Sequence, residues 1–162
     1  MADGDIRRPD GPFSALGVGV SLSVVLLDQL AKASAEARLE FGQTIELLPV
    51  LTLYRVHNTG IAFSMLTGSG GVLIAVMLAV MALVVVFWQR SHDGGQLVAI
   101  GFALILGGAL GNLIDRVRLG YVVDFLLLHL GERTLFVFNL ADAALTLGPA
   151  LLIVAYFISA RR

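Results

Sequence analysis

Four apolar runs limit what this chain can become. They cover residues 14–33, 71–89, 96–114 and 140–160, and each is about the ~20 residues a helix needs to cross the hydrocarbon core of a bilayer. A segment in lipid must satisfy its backbone hydrogen bonds internally, so helices are the form such runs take. Of 162 residues, 57% are hydrophobic and only 14% charged, with a mean hydropathy of +0.88. That excludes an ordinary soluble domain. A net charge of −1 offers no broad basic field to nucleic acid. The chain has no cysteine, which removes disulfides, a thiol nucleophile and Cys-ligated metal. His57, His92 and His129 are scattered, without metal-binding spacing.

The segments between the runs divide into tails, turns and two longer excursions. Residues 1–12 are polar and rich in Pro and Gly, the composition of a disordered tail. The first run gathers Asp28, Gln29 and Lys32 at its far end. Asp28 and Lys32 stand four apart, so on a helix they share a face and form an interfacial ion pair. Arg7 and Arg8 before this run and Ala33-Ser34-Ala35 after it also fit a cleavable signal peptide; the three spans that follow favour an uncleaved one. Thr44–Leu48 and Leu51–Val56 flank Pro49 and predict a short strand pair. His57-Asn58-Thr59-Gly60 is turn chemistry, and Ile61–Leu66 offers an apolar surface at the membrane boundary. Trp88 ends the second span, where an interfacial aromatic belongs. The third span carries Gly101, Gly107, Gly108 and Gly111, and the Gly107-x-x-x-Gly111 spacing permits close helix approach. Tyr121–Leu130 is apolar enough to lie on the membrane surface or dip into it. Pro149 introduces a kink in the fourth span.

Four spans place both termini on one side. The short segments there hold Arg7, Arg8, Arg90, Arg161 and Arg162; the two excursions hold Lys32, Arg38, Arg55, Arg116, Arg118 and Arg133. Totals do not separate the sides, but density does, because the positive-inside rule weighs short loops near span ends. Both termini are therefore assigned to the cytoplasm. Asp28, Asn58, Asn112, Asp115, Asp124, Asn139 and Asp142 then converge at the outer surface. Carboxylates against membrane spans are costly and point to function.

Asp124 and Asp142 are each flanked by apolar residues at a bilayer edge. Burial raises a carboxyl pKa, and a second carboxylate nearby raises one of the two further. Two such groups can share one proton, one acting as base on a water while the other donates to a carbonyl. For Asp142 a second reading stands beside this one: Asn139 N-caps the fourth span with Asp142 at N3 of a capping box. Asp115-Arg116 reads as an ion pair. Asn112 inside a span needs a partner, which Asp115 or loop backbone could supply. Asn58 and Gly60 read as a turn, and His129 as interfacial.

Five motifs in order carry a family resemblance: Asp28-Gln29-Leu30-Ala31-Lys32, Asn58-Thr59-Gly60-Ile61-Ala62-Phe63-Ser64, Gly107-Gly108-Ala109-Leu110-Gly111-Asn112-Leu113-Ile114-Asp115-Arg116, Gly120-Tyr121-Val122-Val123-Asp124-Phe125 and Phe138-Asn139-Leu140-Ala141-Asp142. From Asp28 to Gly148 the chain resembles the bacterial lipoprotein signal peptidases (signal peptidase II), membrane aspartyl endopeptidases. That resemblance implies removal of the signal peptide from prolipoproteins, just before a cysteine already carrying diacylglycerol. It implies an α-helical integral membrane protein with four transmembrane helices and a small extracytoplasmic β-platform around residues 41–63. It also implies a short, mobile periplasmic amphipathic helix around 121–130, all in a single membrane-embedded domain. The family's catalytic pair falls on Asp124 and Asp142. Its substrate-site residues fall on Asp28, Lys32, Asn58, Gly60, Gly108, Asn112, Arg116, Asn139 and Ala141, with Asp115 as structural support. The resemblance further implies no metal or other cofactor, lipid-modified prolipoprotein substrates in contact with membrane lipid, inhibition by globomycin, no nucleic acid, a monomer, and a bacterial cytoplasmic (inner) membrane location with the site at the outer face. Ala31 and Ile61 depart slightly from the usual pattern. Two other readings have weaker support. A metal-dependent lipid-headgroup transferase lacks its Asp-rich motif here, and a small proton-coupled transporter lacks internal repeats.

Overall fold

The computed structural model describes residues 9–60, 70–92 and 94–161. Arg7, Arg8, most of the amino-terminal tail, the Ile61–Leu66 stretch with its Ile61-Ala62-Phe63-Ser64 motif, and Arg162 lie outside those residues. Four long helices follow the four apolar runs: α1 (Ala15–Arg38), α2 (Gly70–Arg90), α3 (Gly95–Leu119) and α4 (Leu140–Ser159). All four are long and apolar enough to cross a membrane. Ser14 starts α1 by accepting a hydrogen bond from Gly17 N at 3.0 Å. Arg55 closes its other end, donating through Nη1 to the carbonyls of Glu36 and Leu39, both at 2.8 Å. Gly120, at φ +82°, ends α3 in a left-handed cap with its N–H on Arg116 O. α4 runs on through Pro149.

Helix α3 is the centre of the bundle. Half of its most apolar window is buried, against 6% for α2, so α2 spends its side chains on the surroundings. Two adjacent glycines let the neighbours close on α3. A Cβ on Gly107 would stand 2.7 Å from Val24 Cβ of α1, and one on Gly108 would stand 2.5 Å from the Ala141 carbonyl of α4. At the opposite end of the bundle from the polar cluster, Trp88 stacks on Phe102 at 5.7 Å among Val98, Ala99, Ala103, Leu106 and Ala155. Trp88 is thus a core residue rather than the interfacial anchor its position suggested. Its indole N–H donates to Asp10 O at 2.7 Å, so the last residues of the expected disordered tail are held against the helices.

Both polar excursions end in one antiparallel sheet ordered β1-β2-β3-β4. β1 (Thr44–Leu48) and β2 (Leu51–Asn58) form the expected hairpin around Pro49. β3 (Val122–Leu130) and β4 (Arg133–Phe138) form a second, turning at Gly131. β2 pairs with β3, with Val56 opposite Asp124 and Asn58 opposite Val122. This joins the first excursion to the second and puts both on the same side of the bundle. It also corrects the expectation for 121–130. That segment is a strand, not an amphipathic helix, because β2 and β4 take its backbone hydrogen bonds on both edges. The first and third helices also outrun their apolar stretches, ending at Arg38 and Leu119 rather than near 33 and 114. The polar residues that close those stretches point inward and bond one another, as described next, so they do not end the helices. Ala33-Ser34-Ala35 accordingly lies within α1, and Ala35 packs against Phe125.

Candidate active site

At the sheet end of the bundle, α1, α3, β2, β3 and the start of α4 bring their polar residues together. Asp28 and Lys32 do pair, with Nζ 2.8 Å from Oδ2, but they are 0% and 2% exposed rather than interfacial. A buried charge is tolerated only when its hydrogen bonds are satisfied. Lys32 Nζ meets three acceptors: Asp28 Oδ2, Asp115 Oδ2 at 3.0 Å and Asn112 Oδ1 at 3.0 Å. An ammonium has three donors, so this one is fully committed. Asp115 therefore pairs with Lys32, not with its sequence neighbour Arg116. Adjacent residues of a helix do not face each other.

The remaining carboxylate oxygens tie the elements together. Asp115 Oδ2 accepts from Val123 N at 3.1 Å, and Asp115 Oδ1 accepts from Gln29 Nε2 at 2.9 Å. Asp28 Oδ1 accepts from Ala141 N at 2.9 Å. α1 and α3 thus hold the first residues of β3 and of α4, the two elements that carry Asp124 and Asp142. Gly111 is small for the same reason: a Cβ there would lie 2.7 Å from Asp28 Oδ2.

Asp124 and Asp142 meet through two amides. Asn139 caps α4 in a reciprocal capping box: its Oδ1 accepts from Asp142 N at 2.9 Å, and Asp142 Oδ2 accepts from Asn139 N at 3.3 Å. With its oxygen so engaged, its Nδ2 faces the other way and donates to Asp124 Oδ1 at 2.6 Å. The capping reading and the site reading of this motif are both realised in one geometry. Asn112 is oriented in the same manner. Its Oδ1 accepts from Lys32 and Asn139, which turns its Nδ2 onto Asp142 Oδ1 at 2.7 Å. Asn58 supplies the last contact, donating to Asp124 Oδ2 at 3.0 Å while its Oδ1 accepts from Gly60 N at 2.9 Å. It is both a turn residue and a site residue, and Gly60 accommodates the turn at φ +75°. All four oxygens of the two aspartates thus carry one donor each.

The two carboxyl groups differ in environment. Asp124 is 2% exposed; Asp142 is half-buried. Burial foremost pushes the Asp124 carboxyl up to about 6; the nearby Asp142 charge adds to this, while hydrogen bonds from Asn58 and Asn139 and the Lys32 charge pull against it. Burial thus favours the protonated form of Asp124 to a higher pH than an ordinary carboxyl allows, while Asp142 keeps more access to solvent.

Of the other residues singled out from sequence, Gly108 and Ala141 are buried at the α3–α4 contact and Arg116 is half-buried beside Gly60. His129 lies away from the pair, its Nδ1 on Gly131 O at 2.9 Å and its Nε2 3.0 Å from Thr52 Oγ1. Sequence reasoning gave no role in the site to three residues, one of which, His57, it read as part of a turn and the structure places in β2. Gln29 bridges Asp115 and the Gly111 carbonyl. Arg55 clamps the end of α1 onto the sheet. His57 stacks on Tyr121 at 3.9 Å and braces the strand end that carries Asn58. Gln29 had a signal, since it stands between Asp28 and Lys32 at the end of an apolar run. Among the described residues, no group of three or more His, Cys, Asp or Glu is placed to hold a metal ion. The space between Asp28 and Asp115 is taken by the Lys32 ammonium.

The chain is similar to known proteins over nearly its whole length. Residues 20–158 match the family model described as signal peptidase (SPase) II. Proteins named lipoprotein signal peptidase in Brucella ovis and Brucella melitensis are 50% identical over 144 residues, covering 88% of this chain and 90% of theirs. A solved structure described as a bacterial membrane enzyme superposes with a TM-score of 0.82 at 28% identity, covering 93% of this chain and 96% of that one. A second, with the same description, gives 0.79 at 29% identity over 91% of each. Four spans, a small sheet and this degree of likeness establish that the chain belongs to the signal peptidase II family.

Proposed function

We propose that Asp124 and Asp142 are the acid and base of a membrane aspartic peptidase that removes signal peptides from prolipoproteins. The enzyme class and the reaction follow from family membership; the assignment of the pair rests on one observation. Two aspartates from separate elements are joined through Asn139, and burial pushes the carboxyl of one of them, Asp124, up to about 6. Asp142 takes a proton from a water, whose oxygen adds to the peptide carbonyl carbon. Asp124 donates to the carbonyl oxygen. The proton on Asp142 then passes to the leaving nitrogen as the C–N bond breaks, and the hydroxyl proton returns to Asp124. No metal ion is needed for these steps.

Asn58, Gly60 and Arg116 border the pair and are the residues we assign to holding an extended substrate backbone; the buried Asn112 and Asn139 orient the two carboxyl groups. Asp28, Lys32, Asp115, Gly108 and Ala141 lie beneath it and act by positioning. We further assign the scissile bond to the outer face of the bacterial inner membrane and both termini to the cytoplasm, from the density of arginines in the short segments. Globomycin-type inhibitors compete for the same site, the substrate's acyl chains stay in membrane lipid, and one copy of the chain suffices. The family match favours hydrolysis over proton-coupled transport. Purified Asp124→Asn and Asp142→Asn proteins, given a diacylglyceryl-modified prolipoprotein, test the assignment. Each should fold and fail to cleave; near-normal cleavage by either would refute the pair.

A further inference from the structure

Peptide hydrolysis leaves a carboxylate where a neutral carbonyl stood. A water oxygen joins the carbonyl carbon, the C–N bond breaks, the nitrogen takes one of the water's protons, and the new acid, with an ordinary pKa of about 3.5, loses the other at neutral pH. At the proposed pair this anion appears beside the Asp142 carboxylate, and like charges in a half-buried site repel. A cation is needed to meet it. Lys32 is unavailable, being buried with all three donors committed to Asp28, Asp115 and Asn112. Arg118 leans the other way, with Nη1 3.4 Å from Gln29 Oε1, and Arg55 is spent on the end of α1.

Arg116 remains. It follows Asn112 by four residues on α3, so it lies on the same helix face as the amide that touches Asp142. Its charge interacts with Asp142, Asp124 and Asp115. Its Nη2 would stand 4.0 Å from a Cβ on Gly60, which places the guanidinium at the open edge of the site between α3 and the end of β2. Among the described residues its guanidinium has no hydrogen-bond or ion-pair partner. A guanidinium presents a planar fork that matches a carboxylate with two parallel bonds, which a lysine cannot do.

We propose that Arg116 binds the newly formed C-terminal carboxylate of the cleaved signal peptide, so that a free peptide acid is a product inhibitor held by this one side chain. The proposal rests on the assignment of Asp124 and Asp142, since those residues fix where the carboxylate forms. The test uses the full-length protein in detergent and a synthetic signal peptide ending at the cleavage position, made once as the free acid and once as the carboxamide. The acid should bind and inhibit at least about tenfold more tightly than the amide, the worth of a charge-assisted pair. Arg116→Gln should bring that ratio close to one, and Arg116→Lys should keep part of it. Equal affinity of acid and amide for the unmodified protein overturns the proposal, as does an undiminished ratio in Arg116→Gln. The ratio is read by direct binding of labelled peptides as well as by inhibition, so it stands or falls separately from the cleavage that tests Asp124 and Asp142.

Discussion

Replacing Asp124 with Asn should abolish cleavage and, as pH rises, make the protein progressively more stable relative to wild type. Burial lifts the Asp124 carboxyl to about 6 in the folded chain, against about 3.9 in an unfolded one. The folded state therefore binds this proton more tightly. The stability it contributes is complete below about pH 4 and is lost as pH climbs through about 6. A gap of about 2 units is worth about 3 kcal/mol, of which about 2 kcal/mol falls between about pH 4 and about pH 8. Asn at this position does not titrate. Its amino group must face a donor, from either Asn58 or Asn139, which lowers the variant's stability by a constant amount without changing the slope. The assay is unfolding of both proteins in one detergent across that pH range. The difference, variant minus wild type, should rise with pH by about 1–2 kcal/mol. A flat or falling difference would show that Asp124 is ionised in the folded state throughout, and the proton-sharing scheme would be wrong.

Other perturbations probe the surroundings of the pair. Asn58→Ala removes a donor that favours the Asp124 carboxylate, so the alkaline limb of kcat/KM should move upward by about 0.5–1 unit, a hydrogen bond to a charged group discounted for the exposure of Asn58; an unmoved limb or a downward shift contradicts the contact. Gly111→Ala puts a methyl group 2.7 Å from Asp28 Oδ2 and 3.3 Å from Ala141 Cβ, and should cost about 1–3 kcal/mol in unfolding together with most of the cleavage; unchanged stability would show that the junction has room. Cleavage should persist in excess chelator, and strict dependence on an added divalent ion would count against a metal-free pair.

The spans were legible because hydropathy reports directly on lipid contact. What hydropathy could not report is which polar residue meets which. Asp115 has Arg116 beside it in sequence, yet a helix turns neighbours apart, and its cation is Lys32, brought from α1 by tertiary packing. The strand at Val122–Leu130 was hidden for a related reason. A short apolar run looks alike as a buried strand and as a surface helix, and the deciding partner, β2, ends at Asn58, with α2 and α3 between them. Trp88 looked interfacial because it ends an apolar run; the ring it stacks on belongs to α3. At Asn139 the two readings of one motif were not rivals. An asparagine has an oxygen for the helix cap and an amide nitrogen for Asp124, and the structure uses both.

The account holds that Asp124 and Asp142 act as one unit with one proton, and comparing two single variants with the double variant measures this most directly. If the two form a unit, kcat/KM for a lipidated prolipoprotein should fall about as far in Asp124→Asn and in Asp142→Asn as it does in the double variant, because either loss already disables the pair. Losses that multiply in the double variant, or a single variant that keeps substantial activity, would mean the two carboxyl groups work independently.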